Sequence, residues 1–448
     1  MNIRTVLLVL GIVSLASVAQ AESADNTWPT WRGTTPNGIS ENGTPPTTWS
    51  ETENIKWKLK IPGTGSSTPV IWGNKMFLQT AVPVGEPAAA PTPPPETEGG
   101  AQQGRRRGFH RGPQPTQTLQ FKLICVDRSS GEILWDRTLI EAVPHEGHHQ
   151  TGDFAPYSPV TDGEHVWASF GSRGLYCYDL DGNQIWSAEL IKMNKRNRFG
   201  EGSSPALAGD AIVVLMDHEG QSKISAFNKD TGKLLWERER EEMTSWTTPV
   251  PVEVNGRLEV ITCATNLIRS YDVETGELIW QCSGQTLNTI PSPLLGFGNV
   301  YCTSGFRGHA LQAIELGNEG DLSGSDAIQW QTDQGTPYVA SPILYDDRIY
   351  FLADLKGVLS CYDAKTGKPY YADIRLEGLR TVYASLVGAG GHVYATDRSG
   401  TTVVIKHSDT FSVVATNKLD DGFDASPVVI GDELYMRGDT YLYCIAKS

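Results

Sequence analysis

The chain has 448 residues, 39% hydrophobic and 20% charged, which is enough apolar surface for a large core and excludes general disorder. A formal charge of −15 excludes a general nucleic-acid binder, since neutralising phosphates needs a basic face. Twelve Trp and 16 Tyr beside 46 Gly and 26 Pro predict many short strands joined by tight turns.

Residues 1–21 read as a secretory signal, with Arg4, an apolar stretch from Val6 to Ala19 and the small-x-small site Ala19-Gln20-Ala21. That stretch is short for a membrane span, and no later run reaches 18 apolar residues. The first cysteine is Cys125, so no lipid anchor is expected. The expected location is the bacterial periplasm or an equivalent envelope compartment, with residues 22–448 forming one soluble domain.

An isolated Trp strand, Ile55-Lys56-Trp57-Lys58, precedes the first repeat unit. Within that unit, residues 83–118 form a Pro/Gly/Arg-rich insertion whose composition cannot bury itself, so disorder is expected. Arg105, Arg106, Arg107 and Arg111 would alternatively make it a tether to an anionic surface. The next loop holds His145, Glu146, His148, His149 and Asp153, and of these His145, His148, His149 and Asp153 are candidate metal ligands. The competing reading is an exposed polar loop. Tyr157 and Trp246 precede strand openings and are candidate channel-mouth interaction residues. The run Trp236–Glu242 reads as a solvated strand end.

Self-similarity decides the fold. Openings of the form Ser/Thr-Pro recur at Thr68, Ser158, Ser204, Thr248, Ser292, Ser341 and Ser426, with Ser385-Leu386 as a variant. A spacing of roughly 40–50 residues is the mark of propellers and solenoids. Trp135, Trp186, Trp236, Trp280, Trp330 and Tyr371 close six units, the seventh closes near Ala415, and the last has no room for a closing strand. The spare strand at Trp57 therefore completes it. The expectation is an all-β, eight-bladed propeller of four-stranded antiparallel blades, closed by an N-terminal strand. Small residues recur in the third strands (Cys125, Cys177, Ala226, Ser270, Ala313, Cys361, Cys444), with Ile405 in the seventh, and read as packing between blades. Of seven cysteines, one bridge among Cys263, Cys282 and Cys302 stays open.

Asp363-Ala364-Lys365-Thr366-Gly367, the segment from Asp272 to Trp280, and Trp28-Pro29-Thr30-Trp31-Arg32-Gly33 with Asn37-Gly38 resemble the pyrroloquinoline-quinone (PQQ)-like repeat propellers. The resemblance covers nearly the whole mature chain. That family holds quinoprotein alcohol and sugar dehydrogenases, and cofactor-free propellers of the BamB branch. The chain lacks the adjacent cysteine pair and the Cys-x-x-Cys-His motif of the dehydrogenases, and no motif places a catalytic residue or a cofactor. The resemblance therefore implies a monomeric, non-enzymatic scaffold for protein partners in the envelope. A dehydrogenase using PQQ and Ca2+ is the alternative.

Overall fold

The computed structural model describes residues 26–86 and 114–447; the expected signal segment and the four insertion arginines lie outside the described residues. Each repeat unit folds into a small antiparallel sheet, because short runs of β-formers are joined within the unit by tight turns rich in Gly, Asn and Asp. Eight such sheets span residues 70–142, 160–188, 206–240, 250–282, 294–332, 343–375, 387–418 and 428–445, and are numbered blades 1–8.

Burial along a blade follows its position in the disc. The second strand of blade 3, Ala211–Met216, is buried at all six positions because neighbouring sheets cover both its faces. The outermost strand of blade 8, Ile55–Lys60, alternates partly buried and exposed residues, the pattern of a strand with one wet face. It pairs antiparallel with Tyr441–Ile445, placing Trp57 opposite Cys444, so the front of the chain closes the ring on its tail.

Five of the closing tryptophans have a role that periodicity did not reveal: they clasp the next blade. The indole N–H of Trp57 donates to the Arg128 carbonyl of blade 1 (2.9 Å), and Trp135 donates likewise to Leu180 (3.1 Å). Trp186, Trp236 and Trp330 repeat the bond to Lys229, Val273 and Ala364. The acceptor follows the Asp or Asn that caps the Thr-Gly turn; Asp363 Oδ1, for instance, accepts from Thr366 N (2.7 Å) and Thr366 Oγ1 (2.9 Å). The turn glycine lies flat beneath the indole. A Cβ on Gly276 would come within 2.5 Å of Trp236, and its φ of +72° already demands glycine.

The small third-strand residues face these tryptophans across the ladder: Cys125 pairs with Trp135, Cys177 with Trp186 and Ala226 with Trp236. They also pack against the next blade, as Cys125 does with Val166 and Ala168. In blade 7 the corresponding pair is Val404 with Ala415, and Ile405 faces Val413. All seven cysteines are free and buried; Cys263, Cys282 and Cys302 share one apolar cluster without a bridge.

Two expectations shift. The first-blade ladder continues through Val84 paired with Thr118, so Pro83 and Val84 belong to a strand rather than to the insertion. The charged run of blade 3 is not wholly solvated. Arg240 is 3% exposed and donates to Asp217 (2.8 and 3.3 Å), the Tyr271 hydroxyl and Thr262. Glu242 is buried too, accepting from the amides of Asn266 and Leu267 and pairing with Arg269. Charged residues here tie blade 3 to blade 4.

Candidate functional site: the axial cavity

The Ser/Thr of every opening sits where the inner strands begin, and together they form a closed hydrogen-bonded ring. Thr68 N donates to Ser158 Oγ, Ser158 N to Ser204 Oγ, Ser204 N to Thr248 Oγ1, and Thr248 N to Ser292 Oγ. Ser292 N then donates to Ser341 Oγ, Ser341 N to Ser385 Oγ, and Ser385 N to Ser426 Oγ. Ser426 N returns to Thr68 Oγ1, 358 residues away in sequence. Each bond is 2.9–3.3 Å and each residue is buried. A short hydroxyl side chain is needed at all eight places, because the amide of the preceding blade would otherwise be buried without an acceptor. Seven of the eight are followed by proline, which adds no further amide to satisfy.

These eight residues line a cavity of about 440 Å³ on the propeller axis. The lead-in segment crosses the channel on one side. Thr27–Trp28 adds a strand to the inner edge of blade 1, and Ile39–Ser40 a parallel one to blade 7. Between them Arg32 donates to the carbonyls of Leu386 (3.0 Å) and Pro342 (2.8 Å), and Asn37 exchanges two bonds with Leu295 of blade 5. Burial pulls the Arg32 guanidinium down to about 9. Gly38 lies against that guanidinium, where a Cβ would come within 2.2 Å of Nη2. Trp31, held by this crossing, forms part of the cavity wall.

The remaining wall mixes aromatic and acidic side chains. Phe199, Trp246, Phe306, Tyr338 and Tyr383 come from connections of blades 2 to 7; Asp153, Glu201 and Asp424 come from the connections around blades 1, 2 and 8. Phe306 and Tyr338 stack at 4.9 Å, and the Trp246 N–H is anchored on the Gly200 carbonyl at 2.8 Å. Asp424 is pushed up to about 6 by burial, despite a two-pronged pair with Arg398 (2.6 and 2.9 Å), with Asp439 and Asp153 adding repulsion.

Trp246 lies on the cavity as expected, but Tyr157 does not. It is 2% exposed, packs among Ala81, Phe121 and Phe170, and donates to Glu201 Oε2 (2.7 Å). A residue just before an opening points inward or sideways according to its strand entry, which local sequence does not specify. The histidine loop spreads out. His145 bonds the Met193 carbonyl at 2.7 Å and lies near Glu146 and Glu201, which together are the metal-capable group among the described residues. His148 and His149 pack edge-on against Phe154 and Phe199, and Asp153 accepts from Ala155 N. Sequence proximity grouped His145 with His148, His149 and Asp153; the fold substitutes Glu146 and Glu201. Burial and the adjacent Glu201 push Glu146 up to about 7, although both its oxygens face Lys195 N.

The family model described as outer membrane protein assembly factor BamB matches residues 100–245 and 220–448. BamB of Bordetella pertussis is 24% identical over 276 residues, 61% of this chain and 64% of that protein. BamB of Burkholderia pseudomallei is 24% identical over 272 residues, 58% and 65% of the two chains. The chain thus spans slightly under two thirds of the curated relatives it matches. Among solved structures, BamB from Moraxella catarrhalis aligns with a TM-score of 0.51 at 13% identity, covering 72% of this chain and 91% of that one. Quinohemoprotein alcohol dehydrogenase from Comamonas testosteroni aligns with a TM-score of 0.63 at 10% identity, covering 95% and 81%. At these identities both likenesses speak to the fold alone. With the repeat, the eight closed blades and a family match over most of its length, the chain belongs to the BamB family of PQQ-repeat β-propellers.

Proposed function

We propose that the protein is an exported, non-enzymatic propeller that docks protein partners in a bacterial cell envelope, as the name of its BamB relatives implies for outer-membrane assembly. The observation that carries this reading is the membership in that family combined with a ring held rigid at both radii, hydroxyls inside and indoles outside. A stiff disc with broad connecting loops presents a surface without spending binding energy on ordering it. No helix among the described residues is long and apolar enough to cross a membrane.

The dehydrogenase reading shares the fold but not the site chemistry. Pyrroloquinoline quinone is a tricarboxylate, and the axial wall presents Asp153, Glu201 and Asp424 with neither Lys nor Arg among its lining residues. No two cysteines are adjacent in sequence, and all seven are free and buried, with the Cys125 and Cys361 thiols pushed up to about 12 by burial. The residues do not fit the quinone. Cross-linking in the native envelope followed by mass spectrometry tests the proposal: envelope proteins captured at the loop face support it. Dye reduction by the mature chain supplied with PQQ and Ca2+, without captured partners, refutes it.

A further inference from the structure

We propose that the axial cavity binds a neutral, hydroxyl-rich ligand, a sugar of one or two rings. The inference rests on the binding-module reading and adds a small-molecule site to it. The first observation is the serine–threonine ring. Each of its eight hydroxyl oxygens accepts an amide, yet none of their protons has an acceptor among the described residues. Their side chains belong to residues 2–8% exposed and line the cavity, so they offer a circle of O–H donors to whatever enters.

Acceptors share the cavity with those donors. Asp153, Glu201 and Asp424 line the same space, and no lining cation would meet an anionic ligand. A cationic ligand gains little either. Asp424 is already neutralised by Arg398, and Glu201 takes hydrogen bonds from Tyr157, Ser172 N and Ser172 Oγ. Three rings of the wall already carry a cation of the chain: Arg398 over Tyr383 at 4.8 Å, Arg307 over Phe306 at 5.6 Å, and Lys195 over Trp246 at 5.6 Å. What the wall leaves open is donation from hydroxyls, acceptance by Asp153, and aromatic surface. An uncharged hydroxyl group both accepts and donates, and the C–H faces of a pyranose suit the stacked Phe306–Tyr338 pair and the anchored Trp246. The 440 Å³ volume is that of a small-molecule site.

Calorimetric titration of the full mature chain with glucose, N-acetylglucosamine and cellobiose at millimolar concentrations tests this, with spermidine and glutarate as charged probes. Saturable heat is expected with at least one sugar and neither charged probe. Trp246→Ala and Asp153→Asn should each weaken sugar binding about tenfold or more, as expected when a central contact is lost. Silence with all three sugars, binding of a charged probe instead, or sugar binding unchanged in both variants overturns it. Partner capture measured on the same variants separates the two proposals: if capture persists while sugars fail, only the sugar site falls.

Discussion

Trp57→Ala tests whether the ring is held by its N-terminal strand. The substitution removes the indole from over Gly131, its contact with Tyr435 (5.8 Å between centroids) and its bond to the Arg128 carbonyl (2.9 Å). Truncating a fully buried Trp costs about 3–5 kcal/mol. Because Trp57 keeps one edge in solvent, the expected loss is about 2–3 kcal/mol, of which the N–H bond supplies about 1 kcal/mol. Trp57→Phe should then lose only about 1–1.5 kcal/mol, since it keeps the ring and gives up the donor. Trp236→Ala is the internal control, with a matching bond to Val273 (2.7 Å) but no chain terminus to release. Denaturant midpoints give the energies, and trypsin reports the geometry. Loosening the closing strand should expose Lys56, Lys58 and Lys60 to cleavage in Trp57→Ala and not in Trp236→Ala. A Trp57→Ala protein within about 0.5 kcal/mol of the parent, with an unchanged digest, would refute closure through this strand.

Asp217→Asn should destabilise the fold by about 3–5 kcal/mol, because Arg240 is fully buried and would lose the charge that balances it. Denaturant unfolding checks this, and a loss below about 1 kcal/mol would mean that the pair is solvated after all. Glu146 gives a pH signature. The folded state holds its proton up to about 7, whereas the unfolded chain releases it near the ordinary 4.5. The unfolded state therefore binds fewer protons between those values, and this group's contribution is fully present below 4.5 and lost as pH rises through 7. Glu146→Gln should flatten the decline in melting temperature between pH 5 and about 8; an unchanged slope contradicts the assignment.

The blades were legible because each repeat writes its own turn chemistry: Asp at the cap, glycine at the positive φ, tryptophan to end the strand. What the tryptophan touches was not legible, since its partner lies on the following unit, and only the fold sets Trp236 on Gly276 rather than on the turn of its own blade. The openings were read as strand starts near the channel. That Ser426 reaches Thr68 across 358 residues depends on closure, so no local pattern contains it. Arg240 shows the opposite failure. Alternating charge along Glu237–Glu242 looks like a wet edge, but the strand turns Arg240 inward, between Asp217 of its own blade and Tyr271 of blade 4. Tyr157 and the histidine loop failed similarly, because the route of a connection between blades is fixed by what it packs on.

Two belts fasten the ring at different radii. At the outer radius, indoles fasten five of the eight blade junctions, and at the inner radius every junction shares one amide–hydroxyl bond. At the junction of blades 4 and 5 the turn is replaced by the segment 316–327, and the Trp280 N–H has no partner while Ile279, Leu322 and three cysteines fill the gap. The outer belt therefore lapses at three of the eight junctions, whereas the inner one is unbroken. The hydroxyl ring stays whole even where the outer fastening lapses, because the buried opening amide of each blade still needs its acceptor, as Thr248 N finds one on Ser292 Oγ between blades 4 and 5.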